Sequence, residues 1–204
     1  MTENTVQCYP SHRNDARLMQ AETGLFVVKT FCEEDAFRRE LHIYSLLQGK
    51  ELPCAKVLSA QGKTLTLTQL PGQTLLEHLE RQEATELPQW EVWDKLVAWL
   101  TAFYQLTGMV MTDVNLRNFL YDPATCTLYG VDFEESGEGS LAVCAGRVAA
   151  FIRTYKPENT RLKQEISQYV LDLFAKNCEM GVESLHRETE RQEANIIARR
   201  KNRI

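Results

Sequence analysis

Three side chains in one stretch of this sequence have the types and the spacing that metal-dependent phosphate chemistry needs. Asp113 and Asn118 lie five positions apart, and Asp132 follows fourteen positions after Asn118. The apolar run Thr127–Val131 leads directly into Asp132, which predicts that this carboxylate stands at the end of a strand. Carboxylate and amide oxygens are ligands that Mg²⁺ prefers, and a second carboxylate can orient a hydroxyl group. The stretch therefore predicts a site that holds Mg²⁺ on a nucleoside triphosphate beside a hydroxyl acceptor.

Lys29 and Glu40 form a second candidate group earlier in the chain. Lys29 ends an apolar, β-branched run, where its neighbours are expected to be buried, and a buried ammonium requires a partner. Glu40, on the helix predicted next, is the natural partner, and a Lys fixed by a Glu can hold phosphate groups as a point charge. Each residue taken alone is more commonly an exposed surface charge. The prediction therefore depends on the joint occurrence and the order of all five residues.

Short strands and one helix are predicted for the first 70 residues. A polar turn at 10–15 separates two strand-like runs, as in a hairpin, and Phe37, Leu41, Tyr44 and Leu47 share one face of the helix. The predicted strands are 5–9, 16–22, 25–31, 53–58 and 64–70, and the predicted helix is 33–47. This combination predicts a small α+β unit.

Helices dominate the sequence beyond Pro71-Gly72, which we take as the boundary between two parts. The pattern predicts three regions: an N-terminal lobe at 1–70, a C-terminal lobe at 71–180, and a charged helix or tail at 181–204. The helices predicted after the boundary are 74–81, 89–106, 146–155, 162–177 and 182–204.

Composition excludes several classes of function. The net charge of −5 argues against a protein that binds nucleic acid over its whole surface. The six cysteines include no C-x-x-C pair, which argues against a zinc site. The N-terminal residues are too polar for a signal peptide, and no apolar run reaches about 18 residues, the length needed to span a membrane. We therefore expect a cytoplasmic protein with reduced thiols and no membrane segment.

The order of five short segments resembles that of the protein-kinase-like superfamily. The segments are VVK at 27–29, FRRE at 37–40, QLPG at 69–72, TDVNLRN at 112–118 and VDFE at 131–134. The likeness is strongest to small atypical members: the KEOPS-complex kinase, the RIO kinases, and the lipopolysaccharide and aminoglycoside phosphotransferases. It implies a bilobal fold, with an antiparallel-sheet N-lobe carrying one helix, a mainly helical C-lobe, and ATP bound between the two.

The resemblance also implies a role for each candidate residue. It implies Asp113 as the catalytic residue, Asn118 and Asp132 as Mg²⁺ ligands, Lys29 and Glu40 as the phosphate-gripping pair, and the backbone near Gln69 and Leu70 as the adenine contact. The implied activity is transfer of the γ-phosphate of ATP to a hydroxyl acceptor, either on a protein or on a small molecule, or to water.

Several departures from the family pattern keep an alternative open. Thr112 precedes Asp113 where the family has His-Arg-Asp or His-Gly-Asp, and the turn at 10–15 contains no glycine to close over phosphates. Glu134 stands where regulated kinases have glycine, and the distance to the next predicted helix leaves little room for an activation segment. Glu134 and Glu135 either add a third carboxylate to the metal site or form a solvated pair. The alternative function is a catalytically weak, nucleotide-binding pseudokinase or scaffold, for example in an RNA-modification type of assembly.

The C-terminal segment 188–203 is mixed in charge and then basic from Arg199 onward. Such a run is commonly a solvated helix end. Its functional interpretation is a contact with RNA or with an acidic partner.

Overall fold

The computed structural model describes residues 4–9, 13–22 and 24–201. Part of the predicted polar turn, at 10–12, and the last three residues of the predicted tail lie outside the described residues. Within the described part there are six α-helices, one five-stranded antiparallel sheet and two smaller sheets. The fold class is therefore α+β, as the sequence predicts.

The N-terminal part is a five-stranded sheet with one helix. Its strands are ordered β1-β2-β3-β5-β4, and every neighbouring pair is antiparallel. The elements are β1 Asn4–Tyr9, β2 Asp15–Ala21, β3 Gly24–Thr30, α1 Glu34–Leu47, β4 Val57–Gln61 and β5 Thr64–Thr68. The predicted hairpin at the start of the chain is present as β1 and β2. In α1 the apolar face is buried, with Phe37, Tyr44 and Leu47 in the core.

The C-terminal part consists mainly of helices. Short strands lie between them, in a three-stranded sheet of order β6-β8-β9 and in the pair β7 and β10. The elements are β6 Gln73–Thr74, α2 Leu75–Thr85, α3 Trp90–Thr107, β7 Val110–Met111, β8 Phe119–Asp122, β9 Thr127–Gly130, β10 Ser136–Gly137, α4 Leu141–Thr154, α5 Arg161–Cys178 and α6 Val182–Lys201. The start predicted for α4, Gly146, is wrong, because Ser140 caps the helix with a hydrogen bond from Val143 N to its Oγ.

An aromatic cluster holds the two parts of the chain together next to Asp132. Phe133 stacks on Trp99 of α3, with ring centroids 6.2 Å apart, and meets Tyr44 of α1 edge-on at 5.1 Å. Gly130, at the end of β9, lies so close to Trp99 that an added Cβ would stand 2.3 Å from the indole ring. Because these contacts are fully packed, they fix the position of the chain as it leaves β9 and enters Asp132.

The C-terminal helix α6 is docked along one face, although most of its residues are exposed. Leu185, Thr189 and Gln192 are buried, and the helix packs against α4. Gly146 allows this close approach, since a Cβ there would lie 2.6 Å from Cγ of Glu188. The side chains that face α4 recur at helical spacing, which is the pattern of a docked helix.

None of the helices in the described part of the chain is long and apolar enough to cross a membrane.

Candidate functional site

Lys29 is the centre of a cluster of charged side chains. It is 8% exposed, and its Nζ lies 2.6 Å from Oε2 of Glu40 and 2.5 Å from Oδ1 of Asp132. Oε2 of Glu134 lies 3.5 Å from the same nitrogen. Lys29 comes from a central strand, β3, and Glu40 from the buried face of α1, so both partners are held by packed elements. The structure thus brings together residues separated by more than 100 positions in sequence.

Three carboxylates surround one ammonium in this cluster, and the pKa values reflect the imbalance. Burial alone would lower the pKa of Lys29, but the charges of Glu40 and Asp132 outweigh it and raise the pKa. Burial, helped by the neighbouring charges of Asp132 and Glu134, raises the pKa of Glu40 to about 7 in spite of Lys29. The ammonium therefore stays charged, while the buried carboxylate of Glu40 becomes easier to protonate than an exposed glutamate.

Asp113 and Asn118 lie together in a loop at 112–118, which we call the Asp113 loop. Nδ2 of Asn118 donates to the carbonyl oxygen of Asp113 at 3.0 Å and lies 3.4 Å from its Oδ2. The loop is joined to the Asp132 segment because Val131 N donates to the carbonyl oxygen of Asn118 at 2.9 Å. Asp113 and Asn118 are thus placed beside the strand end that carries Asp132.

The pKa of the Asp113 carboxyl group is raised, which makes the group a weaker acid. Burial raises its pKa, the charges of Glu135 and Asp132 raise it further, and the hydrogen bond from Asn118 partly opposes them. A carboxylate with a raised pKa binds a proton more readily at neutral pH, which is the property that a general base requires.

Asp132 has an unusual backbone conformation for a residue other than glycine. Its φ is +65°, in the left-handed region that Asp and Asn tolerate better than other side chains do. The turn directs the chain from β9 into Phe133 of the core and Glu134 of the charged cluster. Arg39 of α1 fixes the far side of this turn by donating its Nε to the carbonyl oxygen of Glu134 at 2.8 Å.

The glycine-free turn between β1 and β2 contacts the site through side chains. Asn14 Nδ2 donates to Oε2 of Glu134, and Arg13 forms an ion pair with Glu135. The prediction left open whether Glu134 and Glu135 join the metal site or form a solvated pair. In the structure they separate, because Glu134 is 8% exposed and belongs to the cluster, whereas Glu135 pairs with Arg13.

A cavity of about 600 Å³ opens beside these residues. The start of α1, the β1–β2 turn, Thr112 and the segment Glu134–Ser136 line it. It is large enough for a small molecule and adjoins the residue that precedes Asp113.

Gln69 and Leu70 lie apart from the charged cluster. In the sheet register Thr68 of β5 is opposite Phe26 of β3, and Gln69 is the next residue after Thr68. Phe26 lies three residues before Lys29 on the same strand. Three residues of a strand span about 10 Å. Nε2 of Gln69 donates to the carbonyl oxygen of Leu70 at 2.8 Å. The adenine contact implied for this segment stays a prediction.

The cluster has the ligand chemistry for a hard cation. Glu40, Asp132 and Glu134 each offer an oxygen atom, and the three oxygens lie within 4.8 Å of one another. Among the described residues, none donates a hydrogen bond to Oδ1 of Asn118, which could serve as a further oxygen ligand. Oxygen-only ligand sets favour Mg²⁺ or Ca²⁺. The donor chemistry of Asp132 and Asn118 therefore fits the predicted Mg²⁺, whereas Glu40, Asp132 and Glu134 together already surround the ammonium of Lys29.

The sequence did not indicate which residues hold the Asp113 loop in place. Tyr155, just after α4, donates its hydroxyl to Oδ1 of Asn115 at 2.5 Å, and Arg147 of α4 donates to the carbonyl oxygen of Thr112. Arg117, inside the loop, places its guanidinium over the ring of Tyr155, 5.9 Å from the centroid. No spacing rule in the sequence connects α4 with the loop, so only the packed structure shows these contacts.

The basic end of α6 is divided between packing and solvent. Arg200 donates to the carbonyl oxygen of Thr154 and lies 3.7 Å from Glu158, whereas Arg199 and Lys201 are exposed. The predicted RNA contact extends over 202–204, outside the described residues, and stays a prediction.

No protein-family model matches this sequence, and a search of curated proteins finds no significant match.

Proposed function

We propose that this chain is an ATP- and Mg²⁺-dependent phosphotransferase of the atypical protein-kinase-like type, which moves the γ-phosphate to a hydroxyl acceptor or to water. The observation that carries the proposal is the contact of one buried ammonium, Lys29, with both Glu40 and Asp132. These three residue types, in this order, are those that hold phosphates and metal in protein kinases. The proposal includes the bilobal fold, with an N-lobe at 1–70, a C-lobe at 71–180 and a C-terminal helix at 181–204.

Each residue has a defined task in this proposal. Lys29, fixed by Glu40, neutralises phosphate charge, and Asp132 with Asn118 holds the metal. Asp113 orients the acceptor hydroxyl and accepts its proton, for which its raised pKa is favourable. ATP supplies the phosphoryl group, and Mg²⁺ neutralises the charge on its oxygens. The backbone near Gln69 and Leu70 contacts the adenine.

The proposed function belongs in the cytoplasm, where ATP and Mg²⁺ are abundant. All six cysteines are free in the structure, and they fall in its described part. Reduced thiols are the usual state in that compartment.

A non-catalytic, nucleotide-binding scaffold is the second candidate. The contacts of Arg13 with Glu135 and of Asn14 with Glu134 favour it, because the turn that would close over phosphates binds carboxylates here. The two candidates share nucleotide binding and differ in turnover.

A thermal-shift experiment with ATP, in the presence and absence of Mg²⁺, tests what both candidates share. A ligand present at about 100 times its Kd stabilises the folded state by about 2.7 kcal/mol. We expect a Mg²⁺-dependent increase in Tm for the wild type and for Asp172→Asn, an exposed α5 carboxylate that serves as control. We expect little or no increase for Asp132→Asn, whose carboxylate lies in the charged cluster.

Measurement of ATP turnover then separates the two candidates. Turnover by the wild type that Asp132→Asn and Asp113→Asn abolish supports the phosphotransferase. A Mg²⁺-dependent shift with equal background turnover in all variants supports the scaffold. The absence of any ATP-induced shift in the wild type would refute both.

A further inference from the structure

A continuous path of hydrogen bonds connects the C-terminal helix with the residue before Asp113. Arg147 of α4 donates Nη1 to the carbonyl oxygen of Thr112 at 2.6 Å and Nε to Oε1 of Gln192 in α6 at 3.2 Å. The Thr112 carbonyl belongs to the peptide group whose nitrogen is that of Asp113. The guanidinium therefore contacts the backbone at the point where it sets the direction of the Asp113 side chain.

Thr112 is held on its other side by the segment that carries Asp132. Thr112 N donates to the carbonyl oxygen of Glu135 at 3.0 Å, and Thr112 Oγ1 donates to the same oxygen. Two bonds thus fix the amide side of Thr112, and Arg147 fixes the carbonyl side. Without Arg147, the peptide between Thr112 and Asp113 loses this fixed donor and is free to rotate.

Arg147 is itself held by α6. Gln192 is 5% exposed, and its Nε2 donates to Oε1 of Glu188 at 2.6 Å, so its Oε1 is directed toward Arg147. The close packing of Gly146 against Glu188 and Thr189 keeps α6 at this distance from α4. A planar guanidinium that binds two fixed acceptors has little freedom left.

We propose that Arg147 is a positioning residue for Asp113 and that α6, by holding Arg147 through Gln192, is an essential part of the site. The role of Asp113 in this statement rests on the proposed function. The positioning of the loop itself does not depend on that function and can be measured separately.

Arg153 provides a matched control on the same helix. Its Nε donates to Oγ of Ser167 in α5 at 2.7 Å, and its Nη1 lies 3.4 Å from Oε1 of Glu193 in α6. Both arginines therefore connect α4 with α6, and both are partly buried. Only Arg147 contacts the Asp113 loop, so a comparison of the two separates positioning from helix docking.

Backbone hydrogen exchange of the Asp113 loop is the test that requires no activity. The amides of Arg117 and Asn118 donate within this loop, to Oδ1 and to the carbonyl oxygen of Asn115, and report on its opening. We expect Arg147→Met to raise their exchange rates about tenfold or more, because a hydrogen bond from a charged donor is lost. We expect Arg153→Met to leave them within about twofold of the wild type at equal stability.

Equal exchange rates in the wild type and Arg147→Met, or equally raised rates in both variants, would overturn the proposal. If Arg147→Met does not fold, Gln192→Leu removes the acceptor on α6 and should give the same selective increase. No increase in that variant would also count against the proposal.

Turnover provides the second measurement. Arg147→Ala should lower kcat for ATP turnover about tenfold with an unchanged KM for ATP, and added ethylguanidinium should restore part of it. If the wild type turns over no ATP, the proposed function fails, while the exchange experiment still decides whether Arg147 positions the loop.

Discussion

Two lysines are buried in the part of the chain that the structure describes, and their surroundings differ in one decisive respect. Lys29 lies among three carboxylates, whereas Lys163 of α5 donates to the carbonyl oxygens of Tyr155 and Pro157 at 3.0 and 2.5 Å. The carboxylate of Glu83 lies 4.0 Å from Lys163. Burial lowers the pKa of Lys163 and Glu83 only partly compensates, whereas the carboxylates raise the pKa of Lys29.

The comparison separates a structural lysine from a candidate functional one. Lys163 donates hydrogen bonds to uncharged carbonyl oxygens of the segment that follows α4, and this set of contacts requires no further ligand. The Lys29 cluster has three acidic groups for one basic group, and two of the acidic groups, Glu40 and Glu134, are buried, where an excess of negative charge is costly. An excess of one charge sign around a buried ammonium is the reason for regarding the Lys29 cluster as a candidate site.

The largest expected effect is on stability, at the structural lysine. Lys163→Met removes two hydrogen bonds from a buried, charged donor to the carbonyl oxygens of Tyr155 and Pro157, worth about 2 kcal/mol each, so we expect the free energy of unfolding to fall by about 4 kcal/mol. Urea denaturation of the wild type and the variant measures this change in the free energy of unfolding. Lys176→Met, an exposed position on the same helix, is the control and should change stability by less than about 0.5 kcal/mol. A loss below about 1 kcal/mol for Lys163→Met would contradict the structural role.

The next effect is a pH dependence of stability that originates at Glu40 in the Lys29 cluster. Burial raises the pKa of Glu40 from 4.5 to about 7, so the folded state binds this proton more tightly than the unfolded state does. The contribution of Glu40 to stability is therefore complete below pH 4.5 and is lost as the pH rises through 7. The shift corresponds to about 3 kcal/mol.

Glu40→Gln removes this titration, since an amide cannot ionise. We expect the stability of the wild type relative to Glu40→Gln to decrease by about 3 kcal/mol between pH 4 and pH 8 in urea titrations. Glu80→Gln, an exposed position on α2, should show no such trend. A constant difference between wild type and Glu40→Gln across this range would mean that Lys29 keeps Glu40 ionised throughout.

The third prediction concerns function. Lys29→Met removes the ammonium but leaves its three carboxylates, so we expect ATP turnover to fall about a hundredfold, or about 2.7 kcal/mol in transition-state stabilisation. The bared carboxylates should also bind Mg²⁺ more tightly, and millimolar Mg²⁺ should raise the Tm of Lys29→Met more than that of the wild type. The exposed Lys50→Met is the control for turnover, and the Tm of Lys163→Met, which keeps the Lys29 cluster, should respond to Mg²⁺ as the wild type does. Equal Mg²⁺ responses in both buried-lysine variants would remove the distinction.

The sequence predicted the larger elements because each is long enough to show a period. The alternation of β2 and the helical spacing of α1 and α3 are visible in the residues themselves. The strands β6, β7 and β10 have two residues each, too few for any period, and they exist because packed neighbours align them. The docked face of α6 was missed because its buried positions include Thr189 and Gln192, which look polar in sequence.

The residues of the candidate site likewise divide into those that the sequence predicted and those that it did not. Lys29 could be paired with Glu40 in advance, because an ammonium on an apolar strand needs a carboxylate from the next element. Whether Glu134 supplies a third carboxylate was left open, because the sequence of two adjacent glutamates in a turn does not indicate which side chain points inward. Arg147 is one of many arginines in the chain. Its contact with Thr112 depends on how α4 packs beside the loop, and no local pattern encodes that.

Tyr155 tests whether the two lysine regions are independent, with the smallest expected effect. Its carbonyl oxygen accepts from Lys163, and its hydroxyl donates to Asn115 of the Asp113 loop. Burial raises the pKa of Tyr155 to about 12, so the hydroxyl keeps its proton and donates throughout the neutral range. Tyr155→Phe removes only this donor and should lower the free energy of unfolding by about 1 kcal/mol.

A double-mutant cycle of Tyr155→Phe with Lys163→Met gives the coupling between the two regions. Because Lys163 and Asn115 fix opposite ends of one residue, we expect the two losses to differ from additivity by about 0.5 kcal/mol or more. Tyr129→Phe, at a half-buried strand position, is the control and should be additive with Lys163→Met. Additivity for Tyr155→Phe would show that the structural lysine holds its own segment alone. Coupling would instead show that Lys163 acts through Tyr155 on the loop that carries Asp113, so that the structural lysine supports the candidate site.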